Sequence, residues 1–344
     1  MKTPYFSISR QAVVDQYHYM ESFAHTVNYS AKTNYDIIPV LEEETDAGFS
    51  VHFEHALDKV SDPGNTTFFL SGTEEDKIES LRERGVNTFV VDNEPDLKSL
   101  LSWGRERHDD VDVYVRLQRK ENTVETGKHY VFGMSSDTVN NAVKALSNGE
   151  AFDDIGIHVH RKTQNVAEWR LRDELNDVLE ETTLKTVTRM NAGGGFPVKY
   201  KNYQRDTMPG IKRRFDDLKA WAENHDMTLV IEPGRIIAGP PGKLHVTVKN
   251  VYGETVVVDA SVFNVAMDTF AADTRLEIQE ETDAENGDPY TVKGCTPDSL
   301  DIIRYKAYLN DPRSGETLTF TNSTAYNYSS DFCDLPTPET VLRP

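Results

Sequence analysis

Between Asn28 and Glu232 the sequence alternates eight times between a short apolar run and an amphipathic stretch. No other feature limits the possible folds so strongly. The runs cover Asn28 to Lys32, Phe49 to His52, Thr67 to Leu70, Thr88 to Val91, Val113 to Leu117, Ile155 to His160, Thr186 to Asn191 and Leu229 to Glu232. Each is short enough for a strand, and strands alternating with helices pair in parallel. The clearest intervening helix spans Thr73 to Arg84, with Thr73 as its cap, Ile78 and Leu81 as its apolar stripe and Gly85 as a left-handed exit. Eight such units predict an α/β fold, a (β/α)8 TIM-type barrel followed by a C-terminal β domain. An open doubly wound sheet satisfies the same alternation, because periodicity does not report closure.

After Arg235 the helical period fades. Residues 243–251, 254–259, 302–309 and 317–320 read as strands separated by turns. The acidic stretch from Glu277 to Asp288 reads as an exposed, solvated loop. Ala238-Gly239-Pro240-Pro241-Gly242 marks the boundary, giving a barrel over 27–237 and a β domain over 238–344. Residues 1–26, with a strand at Tyr5 to Ile8 and a helix running through Met20 and Phe23, are expected to join the second domain.

A formal net charge of -20 argues against nucleic acid and against an anionic membrane surface, because both require excess Lys and Arg. Two cysteines, Cys295 and Cys333, cannot build a disulfide framework. The first residues hold no apolar run of signal-peptide length, and no later run is long enough to span a bilayer. A cytoplasmic protein is expected.

In a parallel barrel the C-terminal ends of the strands carry the chemistry. Lys32 ends the first run, and an amine partly desolvated there becomes a nucleophile toward an aldehyde. Alone it would be an ordinary strand-end lysine. His158 and His160, two apart on one strand, face the same way. They could form two thirds of a zinc site, but no third ligand stands at a recognisable spacing, which favours His160 stacked flat on a ring and His158 as structural. Gly193, Gly194 and Gly195 allow backbone amides to approach an anion closely, or simply make a tight turn. Gly234 and Arg235 add an amide and a cation, and Glu232 an acid, or a helix cap, at the last strand end.

Together these residues resemble the barrel-type pyridoxal-phosphate decarboxylases, the family of ornithine, arginine, lysine and diaminopimelate decarboxylases, over nearly the whole chain. Tyr29-Ser30-Ala31-Lys32-Thr33-Asn34 is similar to the family's cofactor-lysine motif, Gly156 to His160 to its strand with the ring-stacking histidine, and Gly193-Gly194-Gly195-Phe196-Pro197 and Glu232-Pro233-Gly234-Arg235 to its phosphate and pyridine-nitrogen motifs. The resemblance implies pyridoxal phosphate bound through Lys32, His160, Gly193, Gly194, Gly195, Glu232, Gly234 and Arg235. It further implies Arg116 near the cofactor, Tyr326 at its phosphate, and Asp259 and Asp298 at the distal amine of a substrate. It also implies a homodimer with shared sites.

Three positions depart from the family pattern. Pro297 stands where a proton-donating cysteine is usual, which moves that role to Cys295 or to Lys32, His160 or Cys333. Ser50 replaces a frequent aspartate, and Val131 a frequent lysine. The expected activity is decarboxylation of a basic or diamino acid. A racemase of the same fold is disfavoured by the acidic Glu232. A decarboxylase-like binding protein without turnover and a zinc hydrolase are also compatible with parts of the pattern.

Overall fold

The computed structural model describes residues 2–105, 110–118, 132–149, 151–167, 169–327, 330 and 332–344; Val131 lies outside them. They form two compact units. One holds residues 17–196 and 207–234, the other residues 1–16, 197–206 and 235–344.

β1 (Tyr5–Ser9) belongs to the second unit, and eight strands of the first unit follow it. These are β2 (Thr26–Ser30), β3 (Gly48–Val51), β4 (Thr66–Leu70), β5 (Thr88–Val91), β6 (Val111–Arg116), β7 (Phe152–His158), β8 (Arg189–Asn191) and β9 (Thr228–Ile231). Each pairs in parallel with the next, and β9 returns to β2 through Thr26↔Val230 and Val27↔Ile231. The sheet is therefore closed, which excludes an open doubly wound arrangement. Helices such as Glu75–Glu83, Glu94–Trp103, Ser136–Leu146 and Met208–Glu223 separate the strands and bury their apolar stripes.

At the N-terminal end of the barrel Arg189 bridges Asp112 at 2.9 Å and Asp154 at 2.5 Å. Threonines including Thr67, Thr88 and Thr188 surround them in a polar cavity of about 500 Å³. Arg189 of β8 thereby ties β6 and β7 together through their two carboxylates, a supporting arrangement at the face where barrels seldom do chemistry.

The helix expected from Thr73 begins later, at Glu75, and Thr73 does not cap it. Asp96 accepts from the Gly72 and Thr73 amides instead, at 3.1 and 2.6 Å, so a carboxylate from the next helix takes over the turn. Gly85 does make the left-handed exit, at φ 94°.

The second unit is mostly sheet. β10 (Gly242–Tyr252), β11 (Thr255–Val258), β12 (Glu277–Ile278), β13 (Asp288–Lys293), β14 (Ile302–Leu309) and β15 (Thr317–Thr321) run in the order β12-β15-β10-β11-β13-β14. β1 pairs antiparallel with β10 and parallel with β16 (Glu339–Arg343).

The acidic stretch is not simply a solvated loop. Its first two residues form β12, and the Glu281 side chain, 4% exposed, receives Arg304 Nη2 of β14 on both oxygens, at 3.0 and 3.2 Å, while Nη1 donates to the Leu276 carbonyl. A fully desolvated guanidinium has to be paired, and Glu281 is its carboxylate. Glu281→Gln should keep the shape but lose the charge, lowering stability by about 1–3 kcal/mol in urea denaturation.

Candidate active site

Lys32 sits just past β2, in a single 3-10 turn over Ala31–Thr33. Tyr29 brackets that turn by donating its hydroxyl to the Asn34 carbonyl at 3.0 Å. Ser30 N donates to the Pro233 carbonyl at 3.2 Å, which ties the loop after β2 to the loop after β9. Lys32 and Glu232 are thereby held on one rim. Strand ends fall one or two residues before Lys32, His160 and Glu232, so all three stand in loops leaving the barrel rather than on the strands.

Solvent reaches Lys32, yet its ammonium is held below the ordinary lysine pKa. Burial by the surrounding protein is the main cause and Arg116 adds to it, while Glu232 opposes both. Arg116 ends β6 with Asp92 at 3.3 Å, and its guanidinium lies 5.0 Å from the centre of the Phe132 ring.

Glu232 is 5% exposed and is met by three side chains. Ser50 Oγ donates to its Oε1 at 2.7 Å, Asn191 Nδ2 to the same oxygen at 3.0 Å, and His158 Nε2 lies 2.9 Å from Oε2. Burial pushes the acid's pKa up, but His158, Ser50 and His160 together outweigh it and bring the carboxyl down to about 2. Burial also lowers the pKa of His158, against the pull of Glu232. His160 is held well below the ordinary histidine value, first by burial and then by Arg116. The two imidazoles lie parallel, 6.5 Å apart at 3°, so the extended backbone that ends β7 at His158 keeps its alternation as far as His160.

Gly193 to Gly195 follow β8. At Gly193, φ 64°, a Cβ would stand 2.3 Å from the Val159 carbonyl oxygen; at Gly195, φ 94°, 2.7 Å from that of Lys162. A Cβ on Gly234 would stand 2.2 Å from Thr33 Oγ1. No side chain fits these positions without moving its neighbours, and the left-handed φ values are the ones glycine adopts freely. The run leaves a bare backbone cradle on the rim that carries Lys32 and Glu232, which fits a phosphorylated aldehyde with a basic ring nitrogen.

Two neighbours of the site carried no local sequence signal. Asn191 is fully buried; its Oδ1 accepts from Gly193 N at 2.9 Å while its Nδ2 reaches Glu232. His52 stacks on Phe69 at 4.3 Å, and its buried Nδ1 has no hydrogen-bond partner among the described residues. Burial and then Lys32 lower its pKa to about 3. An unfolded histidine titrates at 6.5, so His52 makes the fold lose stability as pH falls from 6.5 toward 3. His52→Phe should remove that loss, gaining about 1–2 kcal/mol over the wild type at pH 5 but not at pH 8 in parallel denaturation curves.

The remaining expected site residues lie in the second unit. The Arg235 guanidinium pairs with both oxygens of Asp268, bonds Tyr200 Oη at 3.0 Å, and is buried along with Asp268. Tyr326, at φ 61°, places its ring 5.1 Å from that guanidinium. Asp259 accepts from Thr247 N at 2.8 Å and from Thr3 Oγ1 at 2.5 Å. Asp298 accepts from Leu300 N at 2.7 Å. Cys295 is exposed, and partial burial together with Asp301 raises its pKa, which keeps it a thiol able to give a proton. Cys333 is also exposed. Among the described residues no group of three or more His, Cys, Asp or Glu is arranged to hold a metal ion.

Residues 10–239 match the family model described as pyridoxal-dependent decarboxylase, pyridoxal binding domain. Two curated relatives are the diaminopimelate decarboxylases of Archaeoglobus fulgidus and Pseudomonas aeruginosa. Each is 25% identical, over 276 and 267 residues, covering 74% and 70% of this chain. The chain spans 65% and 62% of their lengths, less than two thirds. Among solved structures, diaminopimelate decarboxylase from Helicobacter pylori complexed with L-lysine superposes with a TM-score of 0.84 at 17% identity, covering 100% of this chain and 92% of that one. Lysine/ornithine decarboxylase from Vibrio vulnificus complexed with putrescine gives 0.81 at 18%, covering 99% and 94%. At such identities the likeness is one of fold.

Proposed function

From its membership of the pyridoxal-dependent decarboxylases, the family to which this chain belongs through residues 10–239, we propose that it decarboxylates an amino acid with a basic or second amino group. The observation that carries the reading is the junction of the Lys32 loop with the Glu232 loop through Ser30 N and the Pro233 carbonyl. It sets an amine of lowered pKa and an ionised acid on one rim, beside a glycine cradle.

Pyridoxal phosphate, when bound, supplies an electron sink for the electron pair left behind as carbon dioxide departs. The chain's own residues do the rest. Lys32 Nζ, with its lowered pKa, is more often the free amine that attacks an aldehyde. Glu232, held ionised, would keep a proton on the ring nitrogen of the cofactor when it is bound. His160, neutral, offers a flat face for stacking. The amides of Gly195 and Gly234 would receive the phosphate with Tyr326 proposed to assist them, while Gly193 and Gly194, whose amides point to Asn191 Oδ1 and His160 Nδ1, give the loop its side-chain-free shape. The Arg235 side chain, already paired with Asp268, supports the second unit.

In this reading the cofactor domain is the unit of residues 17–196 and 207–234 rather than the expected 27–237, because the helix through Met20 and Phe23 packs with the barrel and only residues 1–16 join the sheet unit; Asp259 and Asp298 are proposed for the distal amine of the substrate. Cys295 returns the proton to the α-carbon. A cytoplasmic homodimer with shared sites completes the proposal. Among the described residues no helix is long and apolar enough to cross a membrane.

The test is carbon dioxide release by the chain loaded with pyridoxal phosphate, from diaminopimelate, lysine, ornithine and arginine in turn. Release from at least one is expected. Inversion of a single enantiomer without gas would point instead to a racemase, and no product from any amino acid to a binding protein.

A further inference from the structure

The acceptor positions of Glu232 can be counted. A carboxylate oxygen takes two hydrogen bonds, one per lone pair. Oε1 receives both of its bonds from neutral donors, Ser50 Oγ and Asn191 Nδ2. Among the described residues Oε2 receives one, from His158 Nε2.

The orientations of two of these donors follow from their other contacts. Asn191 Oδ1 is fixed by the Gly193 amide, so its Nδ2 is the end facing Glu232. His158 Nδ1 is buried with no acceptor among the described residues, so a proton there would be stranded. The proton of His158 therefore sits on Nε2, the ring is neutral, and the negative charge of Glu232 is not cancelled by an imidazolium. A further bond, from Glu232 N to the Gly193 carbonyl at 2.9 Å, joins the acid's backbone to the same glycine whose amide orients Asn191.

We infer that Ser50, Asn191 and neutral His158 are positioning residues that saturate Oε1 of Glu232 and leave one acceptor position, on Oε2, for a bound cation. That the cation is a protonated ring nitrogen rests on the proposed function; the arrangement around Glu232 does not. Gly193 belongs to this network through both its amide and its carbonyl, so the anion cradle and the acid are set by one hydrogen-bond chain. A shift of the glycine loop would release Asn191 and remove one of the two donors that hold Oε1.

The experiment reads Glu232 and His158 directly, in the whole chain without added cofactor. Carbon NMR of glutamate-labelled protein, assigned by difference from Glu232→Gln, follows the carboxyl through pH. Nitrogen NMR of labelled histidine, assigned from His158→Asn, reports the tautomer. The wild-type carboxyl should stay ionised down to at least about pH 4, below the ordinary glutamate pKa, and His158 should be neutral with its proton on Nε2 at pH 7. Ser50→Ala combined with Asn191→Ala should raise the carboxyl midpoint above about 4, because burial then acts with less opposition. Ser50→Asp places a second carboxyl against the first, and the pair should hold a proton with a midpoint above about 6.

A wild-type midpoint at the ordinary glutamate value, a charged or Nδ1-protonated His158 at pH 7, or an unmoved midpoint in the double variant would each overturn the inference. If a variant does not fold, the wild-type titration and the tautomer still decide. Should the titrations come out as expected while no amino acid yields carbon dioxide, the function fails and the positioning stands; the reverse outcome separates them the other way.

Discussion

Lys32→Ala, loaded with pyridoxal phosphate and offered the best substrate, releases carbon dioxide slower than the wild type by on the order of 10⁴-fold or more. The size follows from the kind of group removed. A nucleophile that holds the reacting partner covalently acts as a unit with everything around it, and the neighbours cannot replace it piecemeal. His52 and His160 are the nearby bases, and both are imidazoles with depressed basicity, unable to take the place of an amine. The fold should hardly notice. Lys32 is reached by solvent, so its truncation should alter the denaturation midpoint within the small range of surface substitutions. A Lys32→Ala protein retaining more than about one hundredth of wild-type turnover would remove Lys32 from the proposed role, whatever its stability.

Glu232→Gln has the next largest expected effect, a fall in kcat of about 10²–10⁴-fold with a far smaller change in KM. A neutral amide would not hold a proton on a ring nitrogen, so the electron sink would weaken, while the backbone bond from Glu232 N to the Gly193 carbonyl is kept. Stability changes too, and with a definite pH signature. The carboxyl titrates at about 2 in the fold against 4.5 when unfolded. Its ionised form therefore contributes roughly 3 kcal/mol, fully present above pH 4.5 and lost as pH falls toward 2. In the variant one of Ser50, Asn191 or His158 would face an N–H instead of an acceptor. The gap between wild type and Glu232→Gln in chemical denaturation should be widest near neutral pH and should narrow toward pH 3. A constant gap would mean that the charge of Glu232 does not contribute to the fold.

The barrel is legible because parallel strands buried on both faces read as short apolar runs, and the eight expected runs overlap the eight observed strands. What the runs cannot show is where pairing stops. Lys32, His160 and Glu232, expected on strands, stand beyond them, because the last apolar residue of a run does not announce the last ladder bond. Closure is also invisible, since it depends on β9 meeting β2 from opposite ends of the barrel sequence.

The departures from expectation share a physical cause. Thr73 has the neighbours of a cap, but Asp96, more than twenty residues on, satisfies the amides. Glu281 stands within an acidic run that suggests solvation, but Arg304 lies buried on a strand that folds back against it. Ser50 and Asn191 are single polar residues in or at the end of strands, with nothing local to distinguish a donor to Glu232 from any other buried polar group. The structural role expected of His158 has a partner that its own strand does not name, because the Nε2 contact with Glu232 exists only when segments 74 residues apart are brought together. The chemistry-bearing motifs need no such help, since each is complete within a few residues.

The placement of β1 has a consequence for biosynthesis. Its partners are β10 and β16, the latter roughly 330 residues further along the chain. The barrel strands can find one another progressively as the ribosome extends the polypeptide, each meeting the one made just before it. Tyr5–Ser9 is made before both partners: its antiparallel ladder waits for β10, about 240 residues further on, and its parallel ladder waits for β16. For that interval the nascent protein carries an exposed strand edge, and slowing of elongation or a stop upstream of residue 339 should leave it prone to chaperone capture.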